Sequence, residues 1–396
     1  MRNIQTNSVQ RWNMFAPRRG SGMACAAGCA IAALAATPAA AQTDAAAAAS
    51  AAFEEIVVTA QRRAEVLEKV PMSVVMLTSS AIERANAVNL HDIGLIAPGV
   101  QINFNGSATQ PAIRGITSLT NGTGNENNVA IYVDGFYVSD NTSINQDLVN
   151  IESIQILKGP QGALYGRNAT GGAILIETLK PSDTLTGKIQ GAYGRFDESR
   201  ISGYLSGPLM DNVRFSVAGS IRKSDGWIGL TDPNDNAKVI GDAAPIEQRN
   251  LRTKLQVELS DAFTATLAYN NAYSNDPIGL LFTPFEYLAP SLPGGNAKAA
   301  RPGTASYNHD LNNETWVDDF TLTLKYETPI GVLTSRSLYS QKDYHLDFDI
   351  DGTYVDATFI YTDVEEEMYQ QGIDFVVTAI DNLDLVIGAE YFRDKF

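Results

Sequence analysis

Cysteine is nearly absent from this 396-residue chain: Cys25 and Cys29 are its two thiols, and both lie in the first 41 residues. That stretch has a basic start (Arg2, Arg11, Arg18, Arg19), an apolar run, "MACAAGCAIAALAA", and small residues, "TPAAAQ". Basic, apolar, small is the order of a secretory signal peptide. Cleavage is expected after Ala41. A membrane anchor fits less well, because Pro38 breaks the helix and the apolar core is shorter than a span needs. With residues 1–41 removed, no thiol remains. A disulfide framework, a thiolate metal site and a cysteine nucleophile are then excluded.

Basic residues are also scarce. Lys and Arg number 29 against 45 Asp and Glu. Losing the signal removes four arginines and no acid, leaving 25 against 45. A chain this acidic is not built to hold nucleic acid. Histidine occurs three times, at His91, His309 and His345, with no ligand-like spacing and no Ser/His/Asp set. Enzyme chemistry therefore has no support in the sequence, and no cofactor is implied. No run of 18 apolar residues follows Ala41, so no membrane-spanning helix is expected.

What is present falls into two patterns. From about 61 to 181, short strands and helices alternate. "PMSVVML" reads as a strand, and "SAIERANA" as a helix with a capping box between Ser80 and Glu83. Asn89 caps a second helix, "LHDIGLIA", which Pro98 stops. "VAIYVDGFYV" reads as a hairpin turning at Asp134-Gly135, a type I′ pair. "ESIQILKGP" and "GGAILIETLKP" add two strands. The result is a compact α+β domain.

From about 187 the pattern is strict alternation. Leu251, Leu255, Val257 and Leu259 share one face of a strand; Arg252, Lys254 and Glu258 share the other. Nine such strands are expected, at 187–197, 199–209, 212–225, 247–260, 262–274, 316–328, 331–344, 364–379 and 383–395. Their connections alternate between tight ("GPLMDN", "SDA", "PIG") and long (226–246, 275–315, 345–363), with "FDES" a short exception. Long strands with this asymmetry suit a membrane β-barrel, whose backbone groups must all be paired within the sheet. A soluble β-sandwich also alternates, but its strands are usually shorter.

These segments resemble the TonB-dependent outer-membrane receptors. "EIVVTA" (Glu55, Ile56, Val57, Val58, Thr59, Ala60) resembles the TonB box. "AIRGI", "IYVDGFYVSD" and "LVNIESIQILKGPQGALYGRNATGGAILIETLKP" resemble successive motifs of the plug. The resemblance implies a signal peptide at 1–41, a linker with the TonB box at 42–64, an N-terminal α+β plug domain at 65–182 and an antiparallel outer-membrane β-barrel from 183 to 396. It implies placement in the cell outer membrane among its lipids, a TonB partner in the inner membrane, and active uptake of a scarce small molecule, first of all a ferric siderophore. Carbohydrate, cobalamin and other small organics are alternatives. A passive porin or adhesin would need neither plug nor TonB box. The resemblance also implies that Arg114 and Lys158 face barrel glutamates. The TonB box is expected as a lone strand, left unpaired so that a partner can add to it.

Two local patterns are set aside. "GPQGALYGRNATGG" lacks the Lys-Ser or Lys-Thr of a phosphate loop. "DFDIDG" opens like a calcium loop over Asp347–Asp351, but its twelfth position is Thr358 instead of a bidentate glutamate. Nine strands also fall short of the family's barrel of about 22, which needs roughly 500 residues. The sequence is therefore expected to be an N-terminal fragment, not transport-competent as it stands.

Overall fold

The computed structural model describes residues 57–58, 65–66, 72–105, 108–118, 126–139, 142, 148–232, 235–280, 304–305, 307–349, 358–379 and 385–396. The signal sequence, Glu55, Ile56, Thr59, Ala60 and Asp351 lie outside them. All described residues belong to one compact unit, Glu55–Phe396.

The first strands are β1 (Val57–Val58) and β2 (Glu65–Val66), which pair antiparallel, Val57 opposite Val66. The β-branched pair is thus not unpaired, as the sequence suggested. Its edge is taken by Glu65–Val66, only a few residues downstream.

Next come β3 (Ser73–Thr78), α1 (Ser79–Arg84), α2 (Leu90–Ile96), β4 (Val100–Asn105), β5 (Ala108–Ile113), β6 (Val129–Val133), β7 (Phe136–Tyr137), β8 (Ile151–Lys158), α3 (Gly162–Tyr165) and β9 (Gly172–Thr178). Five of them form one sheet in the order β3-β8-β9-β6-β7. Its apolar faces bury Ile154, Ile156, Leu157 and Ile174 fully. Asn89 caps α2 as expected, its side chain accepting from the Asp92 amide while Asp92 accepts from the Asn89 amide. The expected Ser80–Glu83 box does not form. Thr78 ends β3 in extended conformation, and its Oγ1 accepts from the Ala81 amide instead, so Ser80 falls inside the helix. The β4–β5 ribbon was not legible, because Pro111 lies in β5; it is tolerated opposite Ile102 in a two-stranded ribbon with free edges.

The second half is a nine-stranded antiparallel meander: β10 (Thr186–Tyr193), β11 (Ser199–Met210), β12 (Val213–Ser224), β15 (Ile246–Ser260), β16 (Phe263–Asn275), β18 (Asn312–Thr328), β19 (Gly331–Asp349), β20 (Phe359–Val377) and β21 (Val386–Lys395). All nine expected strands are present, and β19 and β20 run farther into the long connection than the sequence suggested. Within the long connections lie β13 (Gly229–Asp232), β14 (Asp235–Asp242) and β17 (Thr304–Ala305), a small mixed sheet the alternation did not announce.

The two faces differ as expected. Leu251, Leu255 and Leu259 are 42%, 37% and 59% exposed, while Lys254 between them is 8% exposed. The inner face packs on the plug. The outer face carries two aromatic belts. One holds Phe263 against Tyr326; the other holds Tyr269 against Phe320, with Tyr273 against Trp316 beyond it. Phe263 and Tyr273 are ten residues apart, about 33 Å along the strand, or roughly 25 Å after the usual tilt of about 40°. That matches the apolar band of an outer-membrane barrel.

Candidate functional site

The site built by this fold is the seam where the β6–β7 hairpin meets the inner face of the wall. The turn is made by Asp134 (φ 50°) and Gly135 (φ 82°), the left-handed pair a type I′ hairpin requires. Asp134 Oδ1 accepts from the Thr178 amide at 2.8 Å, and its Oδ2 from the Thr178 hydroxyl at 2.7 Å. The same Oδ2 lies 2.9 Å from Lys254 Nζ on β15. One residue thus joins the hairpin, the last plug strand and the wall.

Neighbouring contacts extend the seam. Lys254 also donates to the Thr178 carbonyl at 3.3 Å, and Arg252 to the Val149 carbonyl at 3.3 Å. Two residues past the hairpin, Ser139 donates to Glu366 on β20 at 3.0 Å, and Glu366 pairs with Lys342 on β19 at 3.2 Å. The Tyr137 amide donates to Gln370, and Phe136 packs on Leu338 and Met368. Arg167, paired with Glu126, lies 4.0 Å from the Phe392 ring centroid on β21.

Burial pushes the Asp134 carboxyl up, but the charges of Lys254 and Arg252, with the Thr178 amide, outweigh it and hold Asp134 below the ordinary carboxylate range. Glu177, next to Thr178 on β9, shows the opposite. Burial, then the neighbouring Asp134 charge, pushes it up to about 7. A carboxyl raised in the folded state stabilises below its unfolded value and loses that contribution as pH rises through its folded value. Stability should therefore fall between about pH 4.5 and pH 7. Glu177→Gln should flatten that dependence and gain on the order of 2 kcal/mol at pH 8, read as thermal melts across pH. An unchanged slope would remove Glu177 from the account.

The sequence-stated cations are placed differently. Lys158 donates to the Pro98 carbonyl at 2.6 Å, a bond inside the plug. Arg114 is exposed on a left-handed turn (φ 52°), its amide bonded to the Gly99 carbonyl. Among the described residues neither reaches the nine strands. At Asp134 the polarity is the reverse, a plug carboxylate on a wall cation, while Ser139 and the Tyr137 amide donate to wall acceptors. Sequence reading put Arg252 and Lys254 on the inner face but could not name their partners. Of the acidic stretch beginning at Asp347, that residue and Asp363 flank His345 at 3.0 and 2.7 Å.

The comparisons decide what this arrangement is. The family model described as the TonB-dependent Receptor Plug Domain matches residues 66–173. This chain carries a TonB-dependent receptor plug domain. The vitamin B12 transporter BtuB of Vibrio vulnificus is 30% identical over 218 residues, covering 53% of this chain and 34% of that protein. The pesticin receptor of Yersinia pestis is 34% identical over 151 residues, covering 35% and 22%. The receptor thus spans about a third or less of the curated relatives it matches. Among solved structures, the ferric yersiniabactin uptake receptor FyuA of Yersinia pestis superposes with a TM-score of 0.68 at 21% identity, covering 82% of this chain and 49% of its own. Pseudomonas aeruginosa FpvA bound to heterologous pyoverdines gives 0.69 at 15% identity, covering 85% and 44%. These likenesses establish the fold, a plug against an antiparallel wall. The receptor is an outer-membrane protein, and its outward apolar band and aromatic belts suit that setting.

Proposed function

We propose that this receptor takes up a scarce small molecule by energised transport across the outer membrane, with a ferric siderophore as substrate and TonB as partner. The observation carrying this reading is a folded plug seated by buried charge on the wall, a fitting a passive pore or adhesin has no use for. Val57–Val58 and its flanks, Glu55 to Ala60, supply the strand to which TonB would add. Main-chain pairing gives affinity there with little demand on side chains. That strand is held in a two-residue ribbon with Glu65–Val66, so the partner must displace a short pairing.

The named siderophore receptors favour a ferric chelate; the vitamin B12 transporter favours cobalamin as the second reading. The deciding experiment supplies iron-55 as several ferric siderophores, and cobalt-57 cyanocobalamin, to cells with and without the full-length receptor. An uncoupler is added to half. Receptor-dependent, uncoupler-sensitive accumulation of one iron complex is expected. Accumulation indifferent to the uncoupler would return the passive-pore reading, and cyanocobalamin uptake would replace the substrate.

A further inference from the structure

A gap lies behind the β6–β7 hairpin. Its plug side is apolar, with Ile131, Val138 and Ile151; its wall side adds Ala268 and Val317. The charged side chains lining it are Asp134, Arg252, Lys254, Asp319 and Lys342, and Glu366 is paired to Lys342. Three cations therefore meet three acids. Two of those acids, Asp319 and Glu366, belong to the wall, as do all three cations. The third acid, Asp134, belongs to the plug, and it is the one that touches Lys254.

We propose that Asp134 is the latch of this gap: withdrawing the hairpin removes one acid from a balanced set and leaves the wall cationic, which draws anionic solutes along β15–β19. This rests on the uptake reading above. The charge count is what gives the direction. While Asp134 is seated, the lining together with the Glu366 paired to it carries equal numbers of cations and acids, and its ends are pinned by the Asp134–Lys254 and Ser139–Glu366 contacts. Once it leaves, Arg252, Lys254 and Lys342 outnumber the wall acids Asp319 and Glu366, and the plug acid left near Lys254 is Glu177, pushed up to about 7 by burial. A buried cation without its partner is unfavourable in an apolar surround, and an anion or water must replace the lost carboxylate. Asp134 acts through the position of the hairpin, so it is a positioning residue.

The test uses the full-length receptor in cells lacking general porins, with a periplasmic β-lactamase and an uncoupler present throughout. Entry of an anionic chromogenic cephalosporin is compared with that of a zwitterionic one of similar size. Asp134→Asn keeps the shape, and asparagine tolerates the left-handed backbone. Its amide can still accept from the Thr178 amide, so the charge is the main loss. It should admit the anionic probe on the order of tenfold faster than the parent and favour it over the zwitterion. Lys254→Met should leak without that preference, and the double variant should reseal toward the parent, since neither charge is then left alone. No leak in Asp134→Asn, or a leak without anion preference, overturns the proposal. Should Asp134→Asn not reach the membrane, Lys254→Met decides, and a sealed Lys254→Met overturns it. Because the uncoupler is always present, failure of energised uptake in the parent would sink that reading and leave this result standing.

Discussion

Gly172→Ala should destabilise the receptor by about 3 kcal/mol or more, among the largest effects of any single methyl group in the plug. Gly172 opens β9 opposite Lys158, with φ at 146°, a conformation L side chains avoid. A Cβ there would overlap the Leu157 carbonyl oxygen and lie 2.8 Å from Ile113 Cδ1. The first obstacle is backbone, so relief requires moving β8 away from β9 in the centre of the sheet. Gly135 makes a useful contrast. Its added Cβ would meet Arg336 Nε at 2.9 Å, the far end of a flexible side chain that can give way, so strain there comes mainly from φ. Thermal melts of the detergent-solubilised receptor should show Gly172→Ala melting well below the parent. A melting temperature within error of the parent would mean that β8 and β9 are not in this register.

Val57→Pro should reduce energised uptake to the level seen with an uncoupler, leaving outer-membrane insertion and substrate binding intact. Proline removes an N–H from the strand and cannot serve in a central pairing. The β1–β2 ribbon is two residues long, so its loss has little bearing on the plug, whose sheet begins at Ser73. Val57→Ile keeps the backbone donor and the β-branched side chain and should transport normally. Uptake and binding are to be measured on the same cells. Undiminished uptake in Val57→Pro would remove residues 55–60 from the role of partner strand.

The wall was the most legible part of the sequence. Side chains alternate along a strand, and one face here meets lipid while the other meets a plug, so each strand spells its environment with period two. That is why Leu251, Leu255 and Leu259 were assigned outward and Lys254 inward from sequence alone. The plug hairpin was legible for another reason: Asp-Gly between β-rich arms meets a strict backbone requirement. The cap of α1 was misread because Thr78 and Ser80 both suit capping, and which is used depends on where β3 ends. The β13–β14–β17 sheet was invisible because its strands are short and one pairing, β13 with β17, spans more than 70 residues.

The sequence by itself determined the nine alternating strands, the hairpin turn and the family resemblance. All are local: each is encoded by residues within one strand, turn or motif, where sterics, hydrogen-bonding capacity and polarity act over a few positions. Only the tertiary structure decided that Asp134 meets Lys254, that Ser139 meets Glu366, and that Lys158 stays within the plug. Those pairs are 120, 227 and 60 residues apart. A cation on an inner face needs some partner, because burial makes an unpaired charge unfavourable. Which acid supplies it depends on how the plug is turned within the wall. That orientation is set by the sum of all their contacts and is written in no single segment.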